Sequence, residues 1–191
     1  YLDANRHKIH ENLCLLSDVK IQPTASTPLS GLNGMTGLES CIVGHPRVHL
    51  KSLPILDGYP HKLLLSTGSV SVENYTDTKS GKKGEFHHTL GFVIVEIDGD
   101  DFHIRQVQCE DDGSFYDLKY FVSDGEIMLH SGVEAIVFGD LHLGETNEDV
   151  MNTSFELSNY LKCNDIVLHD VFNGHSISHH ERNQPFQLLK R

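Results

Sequence analysis

The chain has no Cys-x-x-Cys pair. Its four cysteines, Cys14, Cys41, Cys109 and Cys163, are widely scattered, which argues against a disulfide framework and reads as reduced thiols. With no secretory signal in view, the expectation is a cytoplasmic protein. No apolar stretch approaches the roughly 20 residues that a membrane span needs, so no membrane partner is expected. Positive charge is scarce, 15 Lys and Arg against 27 Asp and Glu, for a formal net charge of −12. That disfavours a generic basic surface for gripping nucleic acid, because phosphate neutralisation needs clustered Lys and Arg. A nucleic-acid enzyme is not excluded, since a site holding divalent cations brings its own positive charge. An initiator Met is also lacking: the chain opens on Tyr1 and stops at Lys190-Arg191, so an excerpt is expected, its site completed beyond Arg191.

Histidine, by contrast, is abundant, with fourteen residues, several in pairs or short clusters. Residues 1 to 18 carry Ile9, Leu13 and Leu16 near a helical period. Residues 22 to 40, rich in Pro, Ser, Thr and Gly, read as a connector. A β-rich stretch follows, with strands expected at Ser40 to Val43, Arg47 to Leu53, Lys62 to Ser66, Thr89 to Ile97, Phe102 to Cys109 and Tyr116 to Val122. Asp57-Gly58, Ser80-Gly81, Asp98-Gly99, Asp112-Gly113 and Asp124-Gly125 supply the turns between them. The run from Val93 through Asp98-Gly99-Asp100-Asp101 to Val107 is the clearest hairpin, its second strand alternating apolar and polar residues.

At Glu134 the pattern changes. Ala135-Ile136-Val137-Phe138 is a continuous apolar run, the signature of a strand covered on both faces. Thr146 and Asp149 fit a capping box, after which Val150, Ser154, Leu157 and Leu161 share a helical face. Asp165-Ile166-Val167-Leu168 is a second such strand. Strand, helix and strand in this order predict a βαβ unit with a parallel pair. The expected class is therefore α/β, or α+β over the whole chain: residues 1–130 a β-rich region, residues 131–191 the beginning of a second domain.

Both strands of the unit end in candidate ligands. Gly139-Asp140-Leu141-His142-Leu143-Gly144 follows the first, and His169-Asp170-Val171-Phe172-Asn173-Gly174 follows the second. The carboxyl ends of neighbouring parallel strands form the usual ligand crevice of an α/β sheet. Asp140 and His142, two positions apart, can point the same way and bind one ion through carboxylate oxygen and imidazole nitrogen. Asp170 can place its oxygens between that ion and a second, about 3.5–4 Å away, an arrangement suited to phosphoryl displacement. Gly139 and Gly144 would let the backbone turn sharply.

Gly-Asp-x-His-x-Gly followed by a strand ending in Asp-x-x-Asn resembles the first two motifs of the calcineurin-like metallophosphoesterases, over roughly residues 134 to 185. The family's usual second motif is Gly-Asp-x-x-Asp, so His169 stands where Gly is expected and Asn173 where Asp or Asn is found. The continuation through Phe172, Asn173, His175, His179, His180 and Pro185 resembles the nuclease-like, phage-encoded branch, for which the compartment would be the host cytoplasm. The resemblance implies the first βαβ unit of an αββα sandwich. It also implies a metal-dependent DNase, with two divalent ions activating water against DNA phosphodiester bonds, Mn²⁺ ahead of Zn²⁺, Fe²⁺ or Mg²⁺. Asp140, His142, Asp170 and Asn173 would be the metal ligands, His142 and Asp170 the catalytic pair among them, and His175 and His179 substrate contacts. The family's later Asn-His pair and further histidines are absent from these residues.

Other readings stand beside this one. A small-substrate phosphatase or a cyclic-nucleotide phosphodiesterase would use the same centre. Residues 1–130 could be a binding or assembly module that positions substrate or the subunits of a homo-oligomer. Asn173 could equally cap the turn before Gly174, and His169 suits a hydrogen-bonding place behind the ligands better than ligation. His45 with His49, and His87-His88, have metal-like spacing but no paired carboxylate, which favours surface or core histidines. Lys79-Ser80-Gly81-Lys82-Lys83-Gly84 fails the phosphate-loop pattern. It reads as a solvated hairpin tip, with a nucleic-acid backbone contact as the sharper alternative. The acidic turns at Asp98 to Asp101 and Glu110 to Asp112 lack the register of a Ca²⁺ loop.

Overall fold

A computed structural model describes residues 3–172. It is a mixed α/β structure, rich in strands, and divides into two compact units: Tyr1–Tyr116 with Val122–Glu126, and Asp117–Phe121 with Ile127–Arg191.

The first unit is built on a five-stranded sheet of β1 (Arg6–His10), β2 (Leu13–Leu16), β3 (Ser40–Val43), β4 (Leu50–Leu53) and β5 (Lys62–Ser66), in the order β1-β2-β3-β5-β4. The three inner strands, β2, β3 and β5, are parallel, and the outer two antiparallel to their neighbours. All four residues of β3 are buried, as its central place requires. Leu16, Val43 and Leu64 are fully buried in one cluster with Cys14 and Cys41, which Leu29 and Leu32 close. The helix expected over residues 1 to 18 is a β-hairpin instead. Leu13 and Leu16 lie in β2 because Leu13 and Cys14 pair with Ser40 and Cys41, a long-range choice that overrides a weak local period. The connector at 22–40 holds one turn of 3-10 helix, Leu32–Gly34. Lys62, buried at the start of β5, donates from Nζ to the carbonyls of Asn33 and Gly37 and so ties that turn to the sheet.

Cys14 and Cys41 are register partners in the core. Burial first, then the neighbouring Cys14, pushes the Cys41 thiol up from 9.0 to about 12. A raised thiol favours the neutral form in the fold. Its contribution is therefore complete below about pH 9 and is lost as pH climbs toward the folded value. Iodoacetamide at about pH 8 should accordingly label the half-exposed Cys163 and spare Cys14 and Cys41 until the protein unfolds, as peptide mass spectrometry would read. Equal labelling of all three would contradict this core.

Helix α1 (Lys79–His87) occupies the segment expected to be a hairpin tip. Thr78 caps it, its hydroxyl accepting from Gly81 N at 3.1 Å. Gly81 and Gly84 serve close packing rather than turning: a Cβ on Gly81 would lie 1.8 Å from the Thr76 carbonyl oxygen, and one on Gly84 2.8 Å from the Tyr75 ring. The hairpin of β6 (Gly91–Asp98) and β7 (Asp101–Gln108) is in unbroken register from Gly91 opposite Gln108 to Asp98 opposite Asp101, turning at Gly99 with φ 59°. The single strand expected at Tyr116 to Val122 is two, β8 (Phe115–Asp117) and β9 (Tyr120–Ser123), broken at Leu118 with φ 53°. With β10 (Glu126–Leu129) they form a three-stranded sheet in the order β10-β9-β8.

The second unit carries β11 (Ala135–Asp140), α2 (Glu148–Tyr160) and β12 (Asp165–His169), with β11 and β12 parallel. The βαβ unit is thus present. Its helix starts one residue later than the capping box implied: Asn147 is the cap, its side chain accepting from Val150 N at 3.1 Å. The inward face is also rotated. Ser158 and Leu161 are buried and Phe155 packs edge-on against Phe138, while Val150 and Leu157 are exposed. Nor are the strands covered on both faces. Val137 is 70% exposed, and Ile166 and Val167 are also exposed, since among the described residues one helix cannot cover two faces. No helix among the described residues is long and apolar enough to cross a membrane.

Candidate metal centre

The site forms where β11 and β12 end. The ladder is regular from Ala135 opposite Asp165 to Val137 opposite Val167, then shifts register so that Asp140 faces His169. Such an irregularity re-aims the side chains that follow it. Beyond the strands the backbones stay locked: Leu141 N donates to His169 O at 3.1 Å, His142 N to Asp170 O at 3.0 Å and Leu143 N to Val171 O at 2.9 Å.

Two of the residues in this locked stretch, His142 (φ 48°) and Asp170 (φ 41°), adopt the left-handed backbone region. That conformation costs a non-glycine residue on the order of 1 kcal/mol or more, and it persists where surrounding bonds over-determine it, as at ligand sites. Its effect here is to turn both side chains toward Asp140. Ligand atoms of Asp140, His142 and Asp170 all lie within 4.8 Å of one another, with His142 Nε2 4.0 Å from an Asp140 oxygen. The structure thus brings together three of the residues the sequence singled out. Asn173, His175 and His179 lie outside the described residues.

Two carboxylates and an imidazole, partly exposed and converging from two strands, make an N/O donor set that Mn²⁺, Zn²⁺ or Fe²⁺ accepts. The residues fit a divalent ion.

His169 takes the hydrogen-bonding place behind the ligands that its position suggested, with Asp140 as its partner. Its Nδ1 lies 2.7 Å from Asp140 Oδ1, a hydrogen bond in which the imidazole donates to the carboxylate. That bond, with the Asp170 carboxylate next in effect, raises the His169 imidazole above its ordinary value. His169 is 67% exposed in its side chain rather than buried. It lies behind Asp140 and fixes which oxygen remains for an ion. Replacing His169 with Ala should weaken Mn²⁺ binding by about 10- to 100-fold, the usual cost of losing a group that orients a ligand, with the fold unchanged by circular dichroism. Unaltered affinity would remove His169 from the site.

Thr146, read as a helix cap, instead ties down the loop. Its hydroxyl lies 2.7 Å from Leu141 O and 3.2 Å from His142 O, within reach of both carbonyls beside the ligands. Gly144, at φ 93°, makes the turn the sequence demanded of it. Gly139 does not: a Cβ there would meet open space. A cleft of about 410 Å³ opens beside Asp140 and His142, floored by Phe138, Leu141, Met151, Phe155 and Leu168.

The other sequence candidates have different duties. His45 is a buried core histidine whose Nε2 lies 3.1 Å from Gln22 O and whose Nδ1 accepts from Arg47 N at 3.0 Å. His88 bridges the Tyr75 hydroxyl and Ser71 O, both at 2.9 Å. Among the described residues, Asp140, His142 and Asp170 are the group of three or more ligand-type side chains close enough to hold a metal.

The fold and site therefore define a strand-rich mixed α/β chain with a candidate metal centre at the end of a parallel strand pair. No protein-family model matches it, and no solved structure matches it either. The chain is similar to Protein A1 of Escherichia phage T5, with 30% identity over 194 residues that take in 95% of this chain and 35% of that protein. It spans about a third of the length of the curated relative it matches, and the relationship is to a phage protein.

Proposed function

We propose that the chain carries the metal-binding part of a phosphoesterase, and that the complete protein is a metal-dependent DNase hydrolysing phosphodiester bonds in the host cytoplasm. The observation that carries this reading is the convergence of Asp140, His142 and Asp170 ligand atoms within 4.8 Å, two of them, His142 and Asp170, on left-handed backbone joined by a cross-strand bond. Divalent ions bound there, with Mn²⁺ the proposed species, would lower the pKa of water and neutralise charge on phosphoryl oxygens. The chain's own part is positional. Asp170, just after β12, brings a carboxylate to the same group, His142 supplies nitrogen from the loop after β11, and His169 orients Asp140. Asn173, His175 and His179, which follow Asp170 in the sequence, are proposed as a fourth ligand and as substrate contacts.

The cleft of about 410 Å³ beside the centre favours a second reading, a small-substrate phosphatase or cyclic-nucleotide phosphodiesterase. The test is cleavage of plasmid DNA, a chromogenic phosphodiester and a cyclic nucleotide side by side, with Mn²⁺ and with EDTA. The DNase reading expects nicking or degradation of the plasmid that EDTA abolishes. Turnover of the small esters alone would establish the second reading, and cleavage that persists in EDTA would remove both.

A further inference from the structure

Lys62 is a buried cation with no counter-ion. The residue is 4% exposed, and the backbone on both sides of it is clamped by Ser40, whose hydroxyl donates to His61 O at 3.3 Å and accepts from Leu63 N at 2.9 Å. Of the three hydrogens that an ammonium offers, two go to the carbonyls of Asn33, at 2.9 Å, and Gly37. Both acceptors are neutral. Among the described residues no carboxylate pairs with Lys62, whereas the exposed Lys8 and Lys82 pair with Glu39 and with Asp77 and Glu85. Buried charges are ordinarily paired, because taking a charge out of water is costly unless an opposite charge compensates it.

Lys62 lines a cleft of about 580 Å³, within the size range of small-molecule sites. The cleft lies at the end of the β4–β5 hairpin, where Leu53 faces Lys62 across the ladder. Pro54 follows β4, and the loop then turns through Gly58 at φ 84°, with Tyr59 N donating to Leu56 O at 3.3 Å. Ile55 and Leu56 from this loop, and Leu38 from the connector that supplies the two carbonyls, add to the lining. Leu38 and Leu56 are 54% and 73% exposed, so two leucines stand in water at the edge of a cleft whose one charged group is an ammonium. The single hydrogen left on Lys62 suits one carboxylate oxygen. A phosphate dianion would need a second cation, which the lining lacks.

We propose that this cleft is a binding site for an aliphatic monocarboxylate, its carboxylate meeting Lys62 Nζ and its chain lying over Leu53, Ile55, Leu56 and Leu38. The anion supplies the charge that Lys62 lacks, and the chain covers the leucines left in water. The site needs no metal and stands independently of the phosphoesterase reading.

Calorimetric titration of the complete protein with sodium octanoate, in EDTA at about pH 8 where the carboxylate is ionised, tests it. Saturable binding is expected. 1-Octanol, with the same chain and no charge, should bind at least about tenfold more weakly, as should octanoate to Lys62→Met. Hexanoate should bind roughly tenfold more weakly than octanoate, the effect of two buried methylenes. Lys62→Met also removes the bonds to Asn33 and Gly37, so Leu56→Glu serves as a second variant. It leaves those bonds in place, alters an exposed position and sets a like charge at the cleft, and should therefore weaken octanoate binding too. Asp170→Asn should bind octanoate as the wild type does, which separates failure of this site from failure of the metal centre. No saturable binding of octanoate, octanol binding as tightly as octanoate, or wild-type affinity in both Lys62→Met and Leu56→Glu would overturn the proposal.

Discussion

Asp170→Asn in the complete protein should reduce Mn²⁺-dependent cleavage of DNA by on the order of 10³-fold or more while leaving the fold intact. The substitution keeps side-chain volume and one oxygen but removes the negative charge and the second oxygen with which Asp170 would reach two ions. Asp170 is exposed just past the end of β12, so little stability rests on its side chain. Its left-handed backbone is a conformation that asparagine tolerates better than most residues. A large loss of activity with an unchanged melting temperature is the expected pair of results. Retained cleavage would remove Asp170 from the chemistry, and a loss that tracked unfolding would make it a structural residue.

The second large effect is on stability. Leu64→Ala should cost the first unit about 3 kcal/mol, and Leu50→Ala less than about 0.5 kcal/mol. Both leucines lie on neighbouring strands of one sheet. Leu64 is fully buried at the middle of β5 against Cys41, whereas Leu50 is 65% exposed on the edge strand β4. Truncating the first leaves a cavity among atoms that cannot collapse into it; truncating the second returns surface to water that was already there. Thermal denaturation should show a fall on the order of 10 °C for Leu64→Ala. Comparable falls for the two variants would contradict the sheet order that places β5 inside and β4 at the rim.

These contrasts show what the sequence made legible. Ser40 to Val43 and Lys62 to Ser66 are strands to the residue, because central parallel strands demand short continuous apolar runs and leave little choice of register. The β6–β7 hairpin was equally plain, since Asp98-Gly99 both ends one strand and fixes the pairing of the next. The N-terminal hairpin was not. Ile9, Leu13 and Leu16 fit a helical spacing, and only the partner strand β3, more than twenty residues away, decides against it. Helix α1 escaped for a related reason: Gly81 and Gly84 suggested turns, while their purpose is contact with Thr76 and Tyr75.

At the candidate site, Asp140, His142 and Asp170 could be selected from residue type and position at two strand ends. Their convergence could not, because it depends on a register shift after Val137 and on positive φ at two non-glycine residues. A hydrogen-bonding place for His169 was legible, but its partner Asp140 was not, being set by which residue faces which across the parallel pair. The strands around the site looked doubly covered from their apolar runs, yet among the described residues α2 is the helix that packs on them.

The central claim is that these three side chains hold a divalent metal. Calorimetric titration of the metal-free protein with Mn²⁺ tests it most directly, comparing wild type with Asp140→Asn, His142→Ala and Asp170→Asn. Saturable binding by the wild type and a loss of at least about tenfold in affinity in each variant are expected. Equal affinity in wild type and all three variants would contradict it.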